Sequence, residues 1–416
     1  MHLCEADTLL PPDRYAHQRT IKWTLTSLPP TVMRASYDNS GWTTFEKSVA
    51  GIISKQCNML VLNENACTQL DARLADKHAS EIDQDEYLNI TLEHMDSDRG
   101  PPRTPMVFNH DIQDKVFTNG ADRDEIVIPK YAETFEDVIS SAQYLEFECL
   151  GFEDDDARQV MELAHQYHTK VPFKSMKLGA NKIKVPLEEW ASLADELQLE
   201  ELDLNSNPVP GDLRCLDNLA DLQKLYLNET MVQGDIEALH CMANLMDLKL
   251  HNCSEVIGDI KVFSPLTKLE KLGLQGTRVY GDIQGLQNLR KLKKLDLTAT
   301  RVHGSLSAVE ALSKLSMLYI TKSADVQGDL QLLTKLVHLK KLDLSETAVA
   351  GNIRHLRPLT GLQKLHLKGC RDITGKIANL MHMEKMERID LDGTSITGDA
   401  TALLKRRSDS PLEPVV

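Results

Sequence analysis

The chain has 416 residues, of which 42% are hydrophobic but only 5% aromatic, so aliphatic side chains must supply most of the core. A chain of this length exceeds one ordinary compact domain and favours two domains or an elongated repeat array. The formal charge is −15 at pH 7, which disfavours general nucleic-acid binding. Residues 1–170 carry the whole excess, with 15 Lys/Arg against 30 Asp/Glu, whereas residues 171–416 carry 32 of each.

The first residues and the cysteines bear on the cellular compartment. The opening MHLCEADTLLPPDRYAH lacks the basic and apolar stretches of a secretory signal, and no apolar run reaches the length of a membrane span. The eight cysteines are scattered and form no CxxC pair. This pattern is typical of a reducing compartment, so we expect a cytoplasmic protein with a role in protein interaction or signalling.

Residues 1–62 predict a small α/β segment. TIKWTLTSL and NMLVLN read as strands, and TTFEKSVAGIISK between them has the spacing of an amphipathic helix. A motif Y-x-x-S-x-W-x-x-x-E runs into this helix and is formed by Tyr37, Ser40, Trp42 and Glu46.

The motif resembles part of a Toll/interleukin-1-receptor (TIR) domain. The resemblance implies a partial TIR-like segment over residues 1–62, with Glu46 as the catalytic carboxylate of an NAD-cleaving enzyme. In that role a carboxylate stabilises the sugar cation as nicotinamide leaves. The alternative is that Trp42 belongs to the core and Glu46 is a solvated helix residue. We expect a non-enzymatic protein, with NAD cleavage at Glu46 as the alternative.

Residues 63–139 form an acidic region. The stretch DARLADKHASEIDQDEYLNITLEHMDSDRGPPRTP reads as a helix followed by a linker, because it ends in a Pro/Gly cluster. DRDEIVIPKYAETFEDVISSA then predicts a second helix that leads into the next region. No spacing of histidines in the chain indicates a metal site.

From residue 196 onwards the sequence repeats. Glycines that open a Gly-Asp-Ile-like step recur every 23 or 24 residues, and the first eight are each followed 14 residues later by an L-x-L-like pair. The unit reads L-x-x-L-x-L-x-x-T-x-V-x-G-D-I-x-x-L-x-x-L. The glycines are Gly211, Gly234, Gly258, Gly281, Gly304, Gly328, Gly351, Gly375 and Gly398.

This unit resembles a leucine-rich repeat, and its x-V-x-G-D-I half is similar to the plant-type subclass. Residues 141–183 resemble a longer repeat of the ribonuclease-inhibitor kind. The resemblance implies an α/β fold, a leucine-rich repeat solenoid over residues 140–404 with a parallel concave sheet and an aliphatic core buried between stacked repeats. Residues 405–416 are expected to be a disordered tail.

Single positions of the unit also predict roles. Gly281 indicates a backbone angle or a close approach that a side chain would obstruct. Asp282 precedes the short convex helix or turn and can cap it. Capping is favoured over calcium binding because Lys376 holds the same position in another repeat. Cys253 and Cys370 replace the threonine of the unit, and we expect them to be structural.

The outward residues of the concave strands are the candidate binding surface, because repeat proteins usually bind ligands there. The position before each L-x-L pair holds Glu201, Lys224, Asp247, Lys271, Lys294, Met317, Lys341, Lys364 and Arg388, of which six are basic. The position between the leucines holds Asp203, Tyr226, Lys249, Gly273, Asp296, Tyr319, Asp343, His366 and Asp390.

Two interpretations of this surface remain open. It is either a self-compensating charge mesh that keeps the sheet soluble, or a groove for a protein segment in which the basic residues attract acidic groups. Nucleic acid is not expected, because the few aromatic residues are interleaved with aspartate. No cofactor, metal or membrane span is expected. The predicted partner-binding residues are Lys224, Tyr226, Lys271, Lys294, Asp296, Met317, Tyr319, Lys341, Asp343, Lys364, His366, Arg388 and Asp390.

Overall fold

The computed structural model describes residues 100–117 and 121–398, residues 44, 45 and 48, and the backbone of residues 22–25 and 59–62. The chain divides into two compact units, Met1–Ile183 and Lys184–Val416. None of the described helices is both long and apolar enough to cross a membrane.

The first unit contains the two strands that the sequence predicts in residues 1–62. Strands β1 (Lys22–Leu25) and β2 (Met59–Leu62) pair in parallel. Later in the chain come helix α1 (Pro105–Asp111), a π-helical turn (Arg123–Val127), helix α2 (Ile128–Ile139), strand β3 (Tyr144–Glu146), helix α3 (Asp154–Tyr167) and strand β4 (Ser175–Lys177).

Aromatic side chains join helices α1 and α2. Phe108 of α1 stacks on Tyr131 of α2 with ring centroids 3.8 Å apart, and Phe135 is buried beside them. The Tyr131 hydroxyl donates to the backbone carbonyl of Arg103 at 2.6 Å. This hydrogen bond satisfies the polar end of a fully buried ring and ties the segment before α1 to α2.

Helix α3 connects the parallel strands β3 and β4, which pair with each other. Its apolar face is buried, with Ala157, Val160, Leu163 and Ala164 all fully buried. Parallel neighbouring strands require a crossover of this kind, because the end of the first strand and the start of the second lie at opposite edges of the sheet.

The second unit opens with helix α4 (Leu187–Leu197) and then repeats a pattern of strand, strand and 3-10 turn. The first strands of the repeats form a parallel sheet, here named the L-x-L sheet: β5 (Glu201–Asp203), β7 (Lys224–Tyr226), β9 (Asp247–Lys249), β11 (Lys271–Gly273), β13 (Lys294–Asp296), β15 (Met317–Tyr319), β17 (Lys341–Asp343), β19 (Lys364–His366) and β21 (Arg388–Asp390).

The second strands of the repeats form another parallel sheet, the G-D-I sheet: β6 (Pro210–Asp212), β8 (Met231–Asp235), β10 (Glu255–Asp259), β12 (Arg278–Asp282), β14 (Arg301–Ser305), β16 (Val326–Asp329), β18 (Ala348–Asn352), β20 (Ile373–Lys376) and β22 (Ser395–Thr397). The 3-10 turns are Leu213–Leu216, Ile236–Leu239, Ile260–Phe263, Ile283–Leu286, Leu306–Val309, Leu330–Leu333, Ile353–Leu356 and Ile377–Leu380.

The two sheets differ in register. In the L-x-L sheet equivalent residues of successive repeats are level, so Leu272 lies opposite both Leu248 and Leu295. In the G-D-I sheet each strand is displaced by two residues, so that Tyr280 lies opposite Asp259. The L-x-L sheet therefore aligns equivalent side chains in straight columns, whereas the G-D-I sheet arranges them in diagonal stripes.

The aliphatic residues of the repeat form the predicted core. Leu272, Leu274, Val279 and Ile283 are all fully buried, and the equivalent residues of neighbouring repeats are buried with them. Burial of apolar surface stabilises by roughly 25 cal/mol per Å². One repeat is too thin to bury its own leucines, so the stacking of repeats supplies this stabilisation.

Glycine and aspartate of the Gly-Asp-Ile step interlock between repeats. Gly281 has φ +108°, and a Cβ on it would lie 2.5 Å from Oδ1 of Asp259 in the preceding repeat. That same oxygen accepts the backbone N–H of Lys261 at 2.9 Å and so caps the 3-10 turn, as the sequence predicts. Gly234, Gly258, Gly304, Gly351 and Gly375 leave room in the same way for the capping Asp or Asn of the repeat before them.

The threonine position of the unit satisfies backbone carbonyls. The Thr277 hydroxyl donates to the carbonyl of Leu274 at 2.7 Å. Cys253 at the same position donates through Sγ to the carbonyl of Leu227 at 3.0 Å and is fully buried. Both contacts are structural and link the turn to the sheet.

Candidate functional site on the L-x-L sheet

The outward face of the L-x-L sheet presents two columns of side chains. In each three-residue strand the middle residue points into the core, so the first and third residues face outwards. The level register places equivalent residues about 4.8 Å apart. We name them the first-position column and the third-position column, with an N-terminal half (β5 to β11) and a C-terminal half (β13 to β21).

The first-position residues of the N-terminal half form ion pairs with one another. Lys224 Nζ lies 3.4 Å from Glu201 Oε2, and Lys271 Nζ lies 2.7 Å from Asp247 Oδ2. The Asp247 side chain is only 5% exposed, whereas that of Lys271 is 50% exposed. A buried carboxylate requires a charged partner, so the second pair stabilises the sheet itself.

A third-position tyrosine completes this network. The Tyr226 hydroxyl donates to Asp247 Oδ2 at 2.9 Å, and Lys249 Nζ lies 3.9 Å above the Tyr226 ring. Burial, followed by the charge of Asp247, raises the pKa of Tyr226, so the hydroxyl remains a donor at neutral pH. Asp247 Oδ1 is buried and has no hydrogen-bond partner among the described residues. Tyr226 and Lys271 are therefore the donors that hold this carboxylate.

A histidine fills the gap left by the third-position glycine. A Cβ on Gly273 would overlap the ring of His251, which reaches over from the preceding repeat. Burial lowers the pKa of His251, and its Nδ1 is buried with no partner among the described residues. The His251 ring therefore covers Gly273 through packing contacts and not through a charged contact.

The cations of the C-terminal half are arranged differently. Lys341 is level with Lys364, and Lys364 is level with Arg388. Among residues 100–117 and 121–398, none of these three side chains has an ion-pair partner, and neither has Lys294. Neighbouring like charges in a column repel each other, and no ion pair among the described residues offsets this repulsion in the row.

Third-position aspartates have a structural role that the sequence did not reveal. Each accepts the backbone N–H of the residue two positions later through Oδ1, which leaves Oδ2 for other contacts. The pairs, at 3.0 to 3.1 Å, are Asp203 with Asn205, Asp296 with Thr298, Asp343 with Ser345, and Asp390 with Asp392. The second oxygen of Asp343 contacts His366 Nδ1 at 3.2 Å. One oxygen of each of these carboxylates is thus already hydrogen-bonded to the backbone.

An apolar and an aromatic side chain occupy the middle of the C-terminal half. Met317 is level with Lys294 and Lys341, so it lies between two cations. Tyr319 lies beside it in the third-position column and is half-buried. Burial, then the neighbouring Asp296 and Asp343, raise the pKa of Tyr319, which therefore stays neutral and able to donate.

Comparisons with solved structures place this architecture. A TDR receptor matches with a TM-score of 0.51 at 17% identity, over 64% of this chain and 50% of that chain. The plant peptide hormone receptor RGFR1 in complex with RGF2 matches with a TM-score of 0.48 at 22% identity, over 56% and 41%. An internalin from Listeria monocytogenes matches with a TM-score of 0.43 at 18% identity, over 65% and 87%.

The structural neighbours are all leucine-rich repeat proteins. This chain folds as a leucine-rich repeat solenoid. The expected fold class is therefore confirmed. The solenoid chain spans half or less of the length of the two receptors, and at these identities the likeness concerns the fold alone. No family model and no curated protein matches the sequence.

The solenoid places the predicted binding residues in two groups. Lys224, Tyr226 and Lys271 are engaged within the N-terminal half, and sequence columns alone gave no sign of this because the pairing depends on register. The remaining residues lie together on the C-terminal half: Lys294, Asp296, Met317, Tyr319, Lys341, Asp343, Lys364, His366, Arg388 and Asp390. Glu46 and the rest of the TIR-like motif, Tyr37, Ser40 and Trp42, lie outside the described residues.

Proposed function

We propose that this leucine-rich repeat protein is a recognition module that binds a segment of another protein on the C-terminal half of the L-x-L sheet. The observation that carries the proposal is the row Lys341, Lys364 and Arg388, whose members are level and have no ion-pair partner among the described residues. Lys224 and Lys271 of the N-terminal half, by contrast, form ion pairs with acidic residues of the same sheet.

Electrostatics favours an acidic segment as the partner. Two like charges about 5 Å apart repel by about 1 kcal/mol in water. A row of three such cations carries this cost in the free protein, and carboxylates of a bound segment would remove it. The gain is larger where the segment excludes water from the row. Association should therefore weaken as the salt concentration rises.

The residues beside the row supply contact area and define the segment further. Met317 and Tyr319 offer the sulfur and aromatic surface that is enriched at protein interfaces. The second oxygen of Asp390 can accept a further hydrogen bond, so it suits a backbone N–H group or a basic side chain. The proposed segment is acidic towards the first-position column and carries donors towards the third-position column.

The cytoplasm is the compartment that we propose for this binding. Buried Cys253 and Cys370 donate hydrogen bonds through their thiols to backbone carbonyls at 3.0 Å, an arrangement that requires the reduced form. Reduced structural thiols are typical of cytoplasmic proteins. Fractionation of cells expressing the tagged full chain tests this part, and recovery of the protein only in the culture medium would contradict it.

A random-peptide display selection on the full chain tests the binding proposal. We expect the enriched peptides to be rich in Asp and Glu. Binding of a selected peptide should be lost in the variant Lys341→Glu/Lys364→Glu/Arg388→Glu and should fall with added salt. Enrichment of peptides without acidic residues would contradict the proposal.

A matched control separates the row from net charge. The variant Arg290→Glu/Lys314→Glu/Lys385→Glu makes the same change in net charge at exposed turn positions outside both sheets. It should keep the affinity of the wild type for the selected peptide within about threefold, because long-range charge effects are screened at physiological salt. Equal loss of affinity in both triple variants would show that the row is not the site.

A further inference from the structure

The G-D-I sheet carries an exposed apolar stripe. Four large apolar side chains of the second unit are exposed among its described residues: Met231, Ile257, Tyr280 and Val337. The first three all belong to the G-D-I sheet, and Ile257 and Tyr280 stand on the neighbouring strands β10 and β12. Tyr280 is 48% exposed. Exposed aromatic and aliphatic side chains that cluster on one face are typical of an interface.

Charges of opposite sign flank this apolar stripe. Along β12 the outward residues are Arg278, Tyr280 and Asp282, while Val279 between them is buried. The two-residue displacement of successive strands turns each position into a diagonal stripe. The basic stripe is Arg278 and Arg301, the apolar stripe is Ile257 and Tyr280, and the acidic stripe is Asp259 and Asp282.

This order of stripes is self-complementary. A two-fold axis that runs along the apolar stripe places Ile257 and Tyr280 of one copy against the same residues of the other. The same rotation lays the basic stripe of each copy on the acidic stripe of its partner. Such an isologous arrangement is the usual way in which identical chains pair. We propose that the G-D-I sheet at β10 to β14 is the dimer interface of this protein, with a second copy of the chain as the occupant.

One side chain on each flank has free capacity for the contact, whereas Asp259 of the acidic stripe already pairs through Oδ2 with Lys261 Nζ at 3.3 Å. Arg301 is exposed and has no ion-pair partner among the described residues. Asp282 uses Oδ1 to accept the backbone N–H of Gln284 at 2.8 Å, which leaves Oδ2 available. Arg278 is held by both oxygens of Glu255 at 2.9 and 3.0 Å. The pair of Arg301 with the partner's Asp282 is therefore the principal charged contact.

The charge order ends within the sheet, which limits the interface to a few repeats. In β14 the positions after Arg301 are held by His303 and Ser305, so the acidic stripe stops. In β18 the apolar stripe position is Ala350, which offers little contact area. The interface shares no residue with the L-x-L sheet, so dimerisation and the proposed recognition of a protein segment are separate properties.

Sedimentation velocity of the full chain over a wide concentration range tests the proposal. We expect a reversible monomer–dimer equilibrium, weakened at least about tenfold by Tyr280→Glu, because a charge at the centre of an apolar contact removes its main energy. Val337→Glu is the matched control, since Val337 is exposed to a similar extent but lies outside the G-D-I sheet. It should leave the equilibrium unchanged. A wild type that stays monomeric, or a dimer unaffected by Tyr280→Glu, overturns the proposal.

A charge exchange gives a second test that does not depend on one variant. Arg301→Asp alone and Asp282→Lys alone should each weaken dimerisation, because each places like charges together. Their equimolar mixture should form heterodimers again, since both flanks are then complementary. The Asp282→Lys chain should fold, because Lys376 holds the equivalent position without a side-chain cap. A mixture no more dimeric than the single variants overturns the two-fold arrangement.

Discussion

The two halves of the L-x-L sheet are built on one core and differ on their outward faces. Leu248 in the N-terminal half and Leu342 in the C-terminal half are equally buried and occupy equivalent positions. Outside this core, Lys271 neutralises a buried carboxylate, whereas Lys341 at the equivalent position neutralises none of the described acidic residues. The first position of the repeat unit thus holds a cation that neutralises a carboxylate in the N-terminal half and a cation without an ion pair among the described residues in the C-terminal half.

The shared core gives the largest expected effect. Leu248→Ala and Leu342→Ala should each lower the free energy of unfolding by about 2–5 kcal/mol, because each leaves a cavity in the close-packed stack. Urea denaturation followed by circular dichroism measures both. The two losses should be similar, and a much smaller loss for Leu342→Ala would mean that the halves differ in their cores as well as on their surfaces.

Replacing one lysine by methionine in each half tests whether the outward faces of the two halves contribute differently to stability. Lys271→Met should destabilise by about 2 kcal/mol, because the buried carboxylate of Asp247 loses its charged partner. Lys341→Met is the control with the same substitution in the same column, and it should change stability by less than about 0.5 kcal/mol. Equal losses for the two variants would remove the distinction between the halves.

The histidine that covers Gly273 can be tested by a double-mutant cycle. Gly273→Ala should cost about 1–2 kcal/mol, because the new methyl group displaces the ring of His251. In the His251→Ala background the same substitution should cost much less, since the space is then free. Gly361→Ala, where a Cβ would meet ordinary contact distances only, should be nearly neutral. Additive losses would show that the ring does not pack on Gly273.

The smallest expected effect is a pH dependence from the same histidine. Burial lowers the pKa of His251 below its ordinary value of 6.5, so between these two values the unfolded chain binds more protons than the folded one. Its stability contribution is therefore intact above pH 6.5 and is lost as the pH falls through the lowered pKa. Urea midpoints between pH 7.5 and 5 should fall more steeply for the wild type than for His251→Gln. Parallel pH profiles would contradict this assignment.

Much of the fold could be predicted from the sequence, because the repeat period fixes which residues face inwards. The buried Leu272, the positive φ of Gly281 and the capping by aspartate all follow from single positions of the unit. The contact between Gly281 and Asp259 does not, since it depends on the displacement of one repeat against the next. Periodicity predicts the elements, whereas the register between them decides such contacts.

The candidate site was predictable only as columns. Sequence spacing placed Lys271 and Lys341 in the same column, but the ion pair of Lys271 with Asp247 requires the register and the burial of that carboxylate. The backbone hydrogen bond of Asp343 was likewise hidden, because a strand pattern gives no information on which N–H groups lack an acceptor. One acid among basic residues in a column, as at Asp247, is the signal that could have indicated an internal pair.

The central claim is that the basic row of the C-terminal half serves binding and not stability. The free energy of unfolding of Lys341→Met/Lys364→Met/Arg388→Met, measured by urea denaturation beside the wild type, tests it most directly. We predict a value within about 1 kcal/mol of the wild type or above it, because the substitutions break no ion pair and relieve repulsion within the row. A loss of more than about 2 kcal/mol would show that these cations hold the sheet together, and would contradict the claim.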